Sequence, residues 1–193
     1  MIAGLTLLGP MVSVAIFEMS RRREQGLDVG WRACFSFVHS SAFASIAALS
    51  IVMAALYVAW LYMAEFIYFG LFSVDAPTSP AEFWSELMTT RRGGALIFYG
   101  NAVGLVFSIT ALAISVVAFP LLLDRPITSL GAMAVSIRAF AANSFVLTLW
   151  GLIVVALLAL GSVFFLVGLA VVLPILGHAT WHLYRRIVAP EGG

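Results

Sequence analysis

Two histidines four residues apart, His178 and His182, lie in the stretch LPILGHATWHLYRR near the end of the chain. On a helix that spacing puts both imidazoles on one face. Two such rings can share a divalent metal, and Glu18 or His39 from other helices could complete the ligand set. A haem would instead take histidines from two helices, such as His39 with His182. The plainer reading has the same residues finishing helices at a membrane edge. Glu18 then pairs with Arg22, His178 bonds a carbonyl or a group near Tyr184, and His182 meets polar groups near Arg186. The plainer reading is preferred, with no metal, haem or other cofactor. The chain holds no H-E-x-x-H, Walker loop, G-x-S-x-G elbow or G-x-G-x-x-G. It is therefore read as a protein without a catalytic site.

The elements that carry these residues are membrane helices. Of 193 residues, 63% are hydrophobic and only 10% charged, with three histidines and one cysteine, Cys34. Mean hydropathy is +1.09. A soluble domain is closer to half apolar and a quarter charged, so this chain needs lipid to cover it. A span takes about 20 apolar residues. Five stretches qualify: about 1–19, 41–70, 95–123, 144–160 and 164–184. The last two are so close that they must form a tight antiparallel hairpin. The expected fold class is all-α, a polytopic transmembrane bundle in a single domain covering 1–193.

All ten basic residues are arginine. With five spans, Arg21, Arg22, Arg23, Arg32, Arg125, Arg138, Arg185 and Arg186 fall on one side, and Arg91 and Arg92 on the other. The positive-inside rule makes the first side cytoplasmic, with the C-terminus inside. The N-terminus is then outside, an arrangement that a missing upstream span would also explain.

Three connecting segments read as amphipathic helices lying on the membrane: about 28–40, 79–89 and 128–142. In the second, Ser79 caps, Pro80 takes the first helical position and Glu82 closes a capping box. In the third, Leu130, Met133, Ile137 and Phe140 align on one face.

The chain also carries a repeat. Pro10 precedes Arg21 and Arg22 by eleven and twelve residues, and Pro174 precedes Arg185 and Arg186 by the same offsets. Phe17 matches Trp181, and Glu18 matches His182. Pro120 with Asp124 and Arg125 is a looser third match. The unit reads as an interfacial helix, a span, and a proline-containing span that ends in arginine. Prolines at 10, 120 and 174 each free a backbone carbonyl and are expected to kink their helices. Transporters use such repeats for binding sites; the plainer reading is an ordinary kink repaired by neighbours. Gly100, Asn101, Gly104 and Ser108 form a small-residue ridge for close helix packing, within the chain or between subunits.

The stretches GPMVSVAIFEMSRRREQG, AFPLLLDRP and LPILGHATWHLYRR together resemble the bacterial integral-membrane family known as domain of unknown function 2189. The resemblance extends over nearly the whole chain. It implies a family whose members are longer at the N-terminus, with a further span there, and with no established activity. Some members are labelled cytochrome c oxidase subunits. A catalytic haem–copper subunit would need more histidine ligands than the three available, which leaves an accessory role. The expected protein is a non-enzymatic, multi-pass inner-membrane protein. It is expected to pack against lipid, other membrane proteins or a second copy, and not against nucleic acid. A small-solute or ion transporter, and a metal- or haem-binding subunit, are the alternatives.

Overall fold

The computed structural model describes residues 2–30, 35–72, 77–163 and 165–188, with side chains at 12–30 and from 167 in the first and last helices. The described residues are almost entirely helical, and no strand occurs among them. The helices are α1 (Ile2–Glu24), α2 (Phe43–Phe72), α3 (Pro80–Thr89), α4 (Arg91–Ser115), α5 (Ala118–Asp124), α6 (Ser129–Ala142), α7 (Ser144–Val163) and α8 (Phe165–Ile187). Among the described residues four stretches are long and apolar enough to cross a membrane: Phe43–Phe72, Arg91–Asp124, Ser144–Val163 and Val167–Ile187. The expected first span, 1–19, lies in α1, where the side chains before Val12 are outside the described residues. The residues group into two compact units, 1–52 with 112–193, and 53–111.

In the larger unit, the second half of α1 is the centre of the core. Val14, Ala15, Ile16, Phe17 and Glu18 are buried in succession, all around the helix. A helix buried on every side must have neighbours on every side, and α1 packs on both α8 and α5. The contacts with α8 advance together along both chains: Ile16 meets Gly177, Ser20 meets His178, and Glu24 meets Trp181 and Arg185. The two helices therefore run parallel. A β-carbon at Gly177 would collide with Ile16, so glycine there sets how closely they approach. Helices α7 and α8 pack just as tightly, since a β-carbon at Gly168 would fall on the Gly161 carbonyl.

Between α4 and α5 the helix breaks at residues 116–117. The cause is Pro120, which has no N–H to give the Val116 carbonyl and whose ring crowds it. The break is closed from α6. Fully buried Ser136 accepts from Val117 N–H at 3.2 Å and donates to the Ala113 carbonyl at 2.8 Å. So the face of α6 that packs inward is small, Ala132 and Ser136, while Leu130 and Ile137 of its apolar stripe point outward. Helix α8 continues through Pro174, and α1 continues through Pro10, of which only the backbone is described.

In the segment 28–40, expected to be helical, the described residues do not form an α-helix. Residues 27–30 are irregular, Ser36–His39 is one 3₁₀ turn, and 31–34 lie outside the described residues. Arg22 accounts for part of this, because its Nε donates to the Asp28 carbonyl at 2.8 Å, a group a helix would have used itself.

In the smaller unit, Ser79 caps α3 by accepting from Glu82 N–H at 3.2 Å, with Pro80 at the first position. Glu82 reaches back one residue further than a capping box requires. Its Oε2 accepts from the Thr78 N–H and hydroxyl, both at 2.8 Å. These bonds hold its carboxyl below the usual range, the Thr78 N–H being the largest cause. No residue of α3 is buried, and Trp84 and Met88 are exposed.

Candidate functional site

The arginines named from the sequence converge at one end of the larger unit. Glu18 is 1% exposed. Arg21 grips it with Nε and Nη2, both at 2.8 Å, and Arg22 stands at 3.6 Å. The pairing raises the Arg21 pKa, through the Glu18 hydrogen bonds first and their charge attraction after. Ser36 donates a third bond to Glu18 at 3.3 Å. The expected Arg22 partner is thus secondary to Arg21, because three residues along a helix suit a two-pronged guanidinium grip.

Beside it, Asp124 ends α5. Its Oδ2 accepts from Tyr184 hydroxyl at 2.7 Å and from Arg185 at 3.4 Å, with Arg125 at 4.0 Å. Glu24 ends α1 and accepts from Trp181 Nε1 at 3.0 Å and Arg185 at 3.2 Å. Arg185 therefore joins α8 to both α1 and α5. Burying Trp181 and Tyr184 among apolar neighbours requires partners for their N–H and O–H groups, and the two carboxylates supply them. Arg21 and Arg22 thus gather on Glu18, and Arg125 and Arg185 on Asp124, in two neighbouring groups. Arg23 lines the cavity next to them, and Arg186 follows Arg185 on α8.

The histidines are arranged differently. His178 Nδ1 lies 2.6 Å from Ser20 Oγ, and Ser20 also donates to the Ile16 carbonyl at 3.0 Å. His178, His182, Ser20, Arg23 and Glu24 line one cavity of about 450 Å³. Neither Glu18 nor His39 lines it; Glu18 is held by arginine, and His39 is exposed at the end of its 3₁₀ turn. Among the described residues no group of three or more His, Cys, Asp or Glu is placed to hold a metal ion.

The small-residue ridge lies in the smaller unit, and its residues pack little within the chain. Asn101 donates to its own Ile97 carbonyl at 2.7 Å, Ser108 is exposed and Gly100 faces open space. Gly104 alone meets a neighbour, the Trp60 indole at 3.6 Å. Closer approaches occur at other glycines, among them Gly93, Gly151, Gly168 and Gly177. Ser20, Glu24, Ser36 and Tyr184 were not singled out by sequence. Asp124 carried a signal there, through its place in AFPLLLDRP.

A second cavity of about 560 Å³ opens between the end of α1, the 36–42 segment, the end of α5 and the 125–128 loop. Glu18, Arg21, Asp124 and Arg125 contribute its charges, and Ser36, Ser40, Ser41 and Thr128 its hydroxyls.

No curated protein and no solved structure matches the chain. A family described as predicted integral membrane protein (DUF2189) matches residues 1–124. That range takes in the GPMVSVAIFEMSRRREQG stretch and AFPLLLD, whereas LPILGHATWHLYRR lies beyond it, so the likeness covers less of the chain than its motifs imply. With most of its length matched and four apolar helices of spanning length, the chain belongs to this family of integral membrane proteins.

Proposed function

We propose that this is a non-catalytic, multi-pass protein of the bacterial inner membrane that acts as an accessory subunit, packing its spans against other membrane proteins. One observation carries the reading: the carboxylates at the arginine end, on two helices, are all held by arginines of this chain, and Arg185 joins a third helix to both. Glu18, Glu24 and Asp124 each bind partners from this chain, which is how a scaffold is locked. The spans meanwhile leave their apolar sides outward. In α7 only 11% of the spanning window is buried, with Phe145, Leu152 and Val155 exposed. Such a surface needs a lipid or protein neighbour.

The positive-inside rule puts the arginine end, and with it the C-terminus, in the cytoplasm. Single cysteines at Ser79 and Val188, with Cys34 replaced by serine, test this by labelling in intact cells with an impermeant reagent. Labelling at position 79 alone is expected; labelling at 188 would reverse the orientation.

The functional test is extraction into native nanodiscs followed by intact-mass analysis. A stoichiometric second polypeptide is expected. A lone chain that moves solute in vesicles would sink the accessory reading in favour of transport. The observation favouring that second reading is the break at 116–117, since irregular backbone at membrane depth marks many transport sites.

A further inference from the structure

Helix α4 carries polar groups that its own chain does not satisfy. It belongs to a stretch long and apolar enough to span, and no charged residue lies between Arg92 and Asp124. Asn101 stands about 15 Å along the helix axis from Arg91. With the arginines at headgroup depth, that position is inside the hydrocarbon. The Asn101 side chain is exposed. One amide hydrogen goes to the Ile97 carbonyl of its own helix at 2.7 Å. The second amide hydrogen and the carbonyl oxygen have no partner among the described residues. Ser108, two turns on, is exposed, and its hydroxyl has no partner there either. Thr110, Ser162 and Thr180, by contrast, each donate to the carbonyl four residues back. Lipid tails offer no hydrogen bonds, so groups left unmet at this depth cost free energy.

The two polar residues are not scattered. Phe98, Asn101, Leu105 and Ser108 follow one another at intervals of three, four and three residues, the spacing of a seam between two helices. Phe98 is 68% exposed and Leu105 58%. The chain's own packing on α4 runs alongside this seam, where Gly104 meets the Trp60 indole. Neither of the two cavities described above reaches it. Whatever covers the seam must offer both a donor and an acceptor opposite Asn101, with apolar surface opposite Phe98 and Leu105.

A second α4 offers all of these. Copies of one chain insert the same way round, so two α4 helices meet parallel, and a two-fold axis along the membrane normal sets each residue against itself. A carboxamide is self-complementary in that arrangement, each donating its free hydrogen to the other's oxygen. A single asparagine on such a seam also fixes the register of a parallel helix pair. An apolar span of another protein would leave the same groups unmet. We infer that the chain forms a parallel two-fold dimer through α4, with Asn101 facing Asn101 of the second copy. The inference rests on the membrane placement of the chain and not on the accessory-subunit reading, because a dimer could serve either as an accessory subunit or as a transporter.

The test uses the full-length chain with Cys34→Ser. On mild oxidation in native membranes, Leu105→Cys should give a disulfide-linked dimer of this chain. Val106→Cys is as exposed but points about 100° round the helix, and should not. In liposomes, counting labelled chains per particle as protein is diluted into lipid gives the monomer–dimer equilibrium. Asn101→Leu should weaken it roughly three- to twentyfold, the range for a hydrogen bond between membrane helices. Asn101→Gln, which also donates and accepts, should keep most of the association. Within the chain Asn101 bonds only its own helix, so Asn101→Leu should fold, and circular dichroism checks that it does. Neither readout involves a different polypeptide, so this inference and the accessory-subunit reading fail separately. Equal crosslinking at positions 105 and 106 would overturn the inference, as would an Asn101→Leu chain that associates as tightly as its parent, or a parent chain that stays single at every dilution.

Discussion

The Glu18–Arg21 pair should be asymmetric, and the asymmetry follows from where each partner meets water. The Glu18 side chain is 2% exposed and the Arg21 side chain 25%. Removing the guanidinium by Arg21→Met strands a carboxylate that cannot reach water. Breaking a buried pair costs about 3–5 kcal/mol, and the remaining Arg22 and Ser36 contacts should reduce this to about 2–3 kcal/mol. Removing the charge on the other side by Glu18→Gln leaves an arginine that is a quarter exposed and rehydrates, so the loss should be about 1 kcal/mol. The double variant carries no stranded carboxylate and should be more stable than Arg21→Met alone. Reversible denaturation in mixed detergent–lipid micelles measures all three on one scale. If Glu18→Gln costs as much as Arg21→Met, or if the two losses simply add, Glu18 is not the buried member that dictates the energetics, and the reasoning fails.

Three further perturbations have defined outcomes. Ser136→Ala strands the Val117 N–H and the Ala113 carbonyl at the helix break, which should cost about 1–3 kcal/mol and speed hydrogen exchange at Val117; unchanged exchange would mean that water closes the break instead. Gly168→Ala drives a β-carbon into the Gly161 carbonyl and should destabilise by about 1–3 kcal/mol, whereas Gly100→Ala, facing open space, should be neutral or gain up to about 1 kcal/mol from helix propensity; equal effects in denaturation would contradict the packing described. Glu82 has a folded-state pKa below its unfolded one, so its stabilisation of α3 is present above the ordinary carboxylate range and disappears as pH falls through the lowered value. Amide exchange in α3 should therefore accelerate in acid in the native protein, and Glu82→Gln should abolish that dependence.

Local chemistry was legible in the residues, and partners far apart in the chain were not. Apolar runs predict helices because backbone groups in lipid must bond within their own segment, and helices of spanning length stand at four of the expected places. The cap at Ser79 was readable because a cap uses atoms two or three residues away. The described ends of 28–40 depart from the expected helix for the converse reason. The amphipathic spacing is real, but Arg22, on the preceding helix, takes the Asp28 carbonyl that the pattern assigned to helix. The glycine ridge at 100–108 makes little contact within this chain, because small-residue spacing says that close approach is possible, not where a neighbour lies. The glycines that are pressed, 161, 168 and 177, follow from the α7–α8 turn and the pairing of α1 with α8. His178 likewise found Ser20, 158 residues away, where sequence reasoning could name only a carbonyl or a group near Tyr184.

The matched offsets of Pro10 and Pro174 from their arginines acquire a physical meaning in this packing. Helices α1 and α8 run parallel and touch, so Arg21 and Arg185 emerge at the same end of the unit, although they are not used alike. Arg21 turns back to Glu18 on its own helix, while Arg185 reaches outward to Glu24 and Asp124 on two others. The difference follows from what stands three residues earlier in each helix, a carboxylate at 18 and a histidine at 182. With no local acid to satisfy it, the second arginine is available to tie helices together, and it bridges α8 to both α1 and α5. Placing a glutamate at position 182 should therefore draw Arg185 back onto its own helix and loosen that bridge, even though the substitution adds an ion pair. Cysteine crosslinking between α8 and α5 would detect the loosening, and an unchanged yield would show that Trp181 and Tyr184 hold the joint without the arginine.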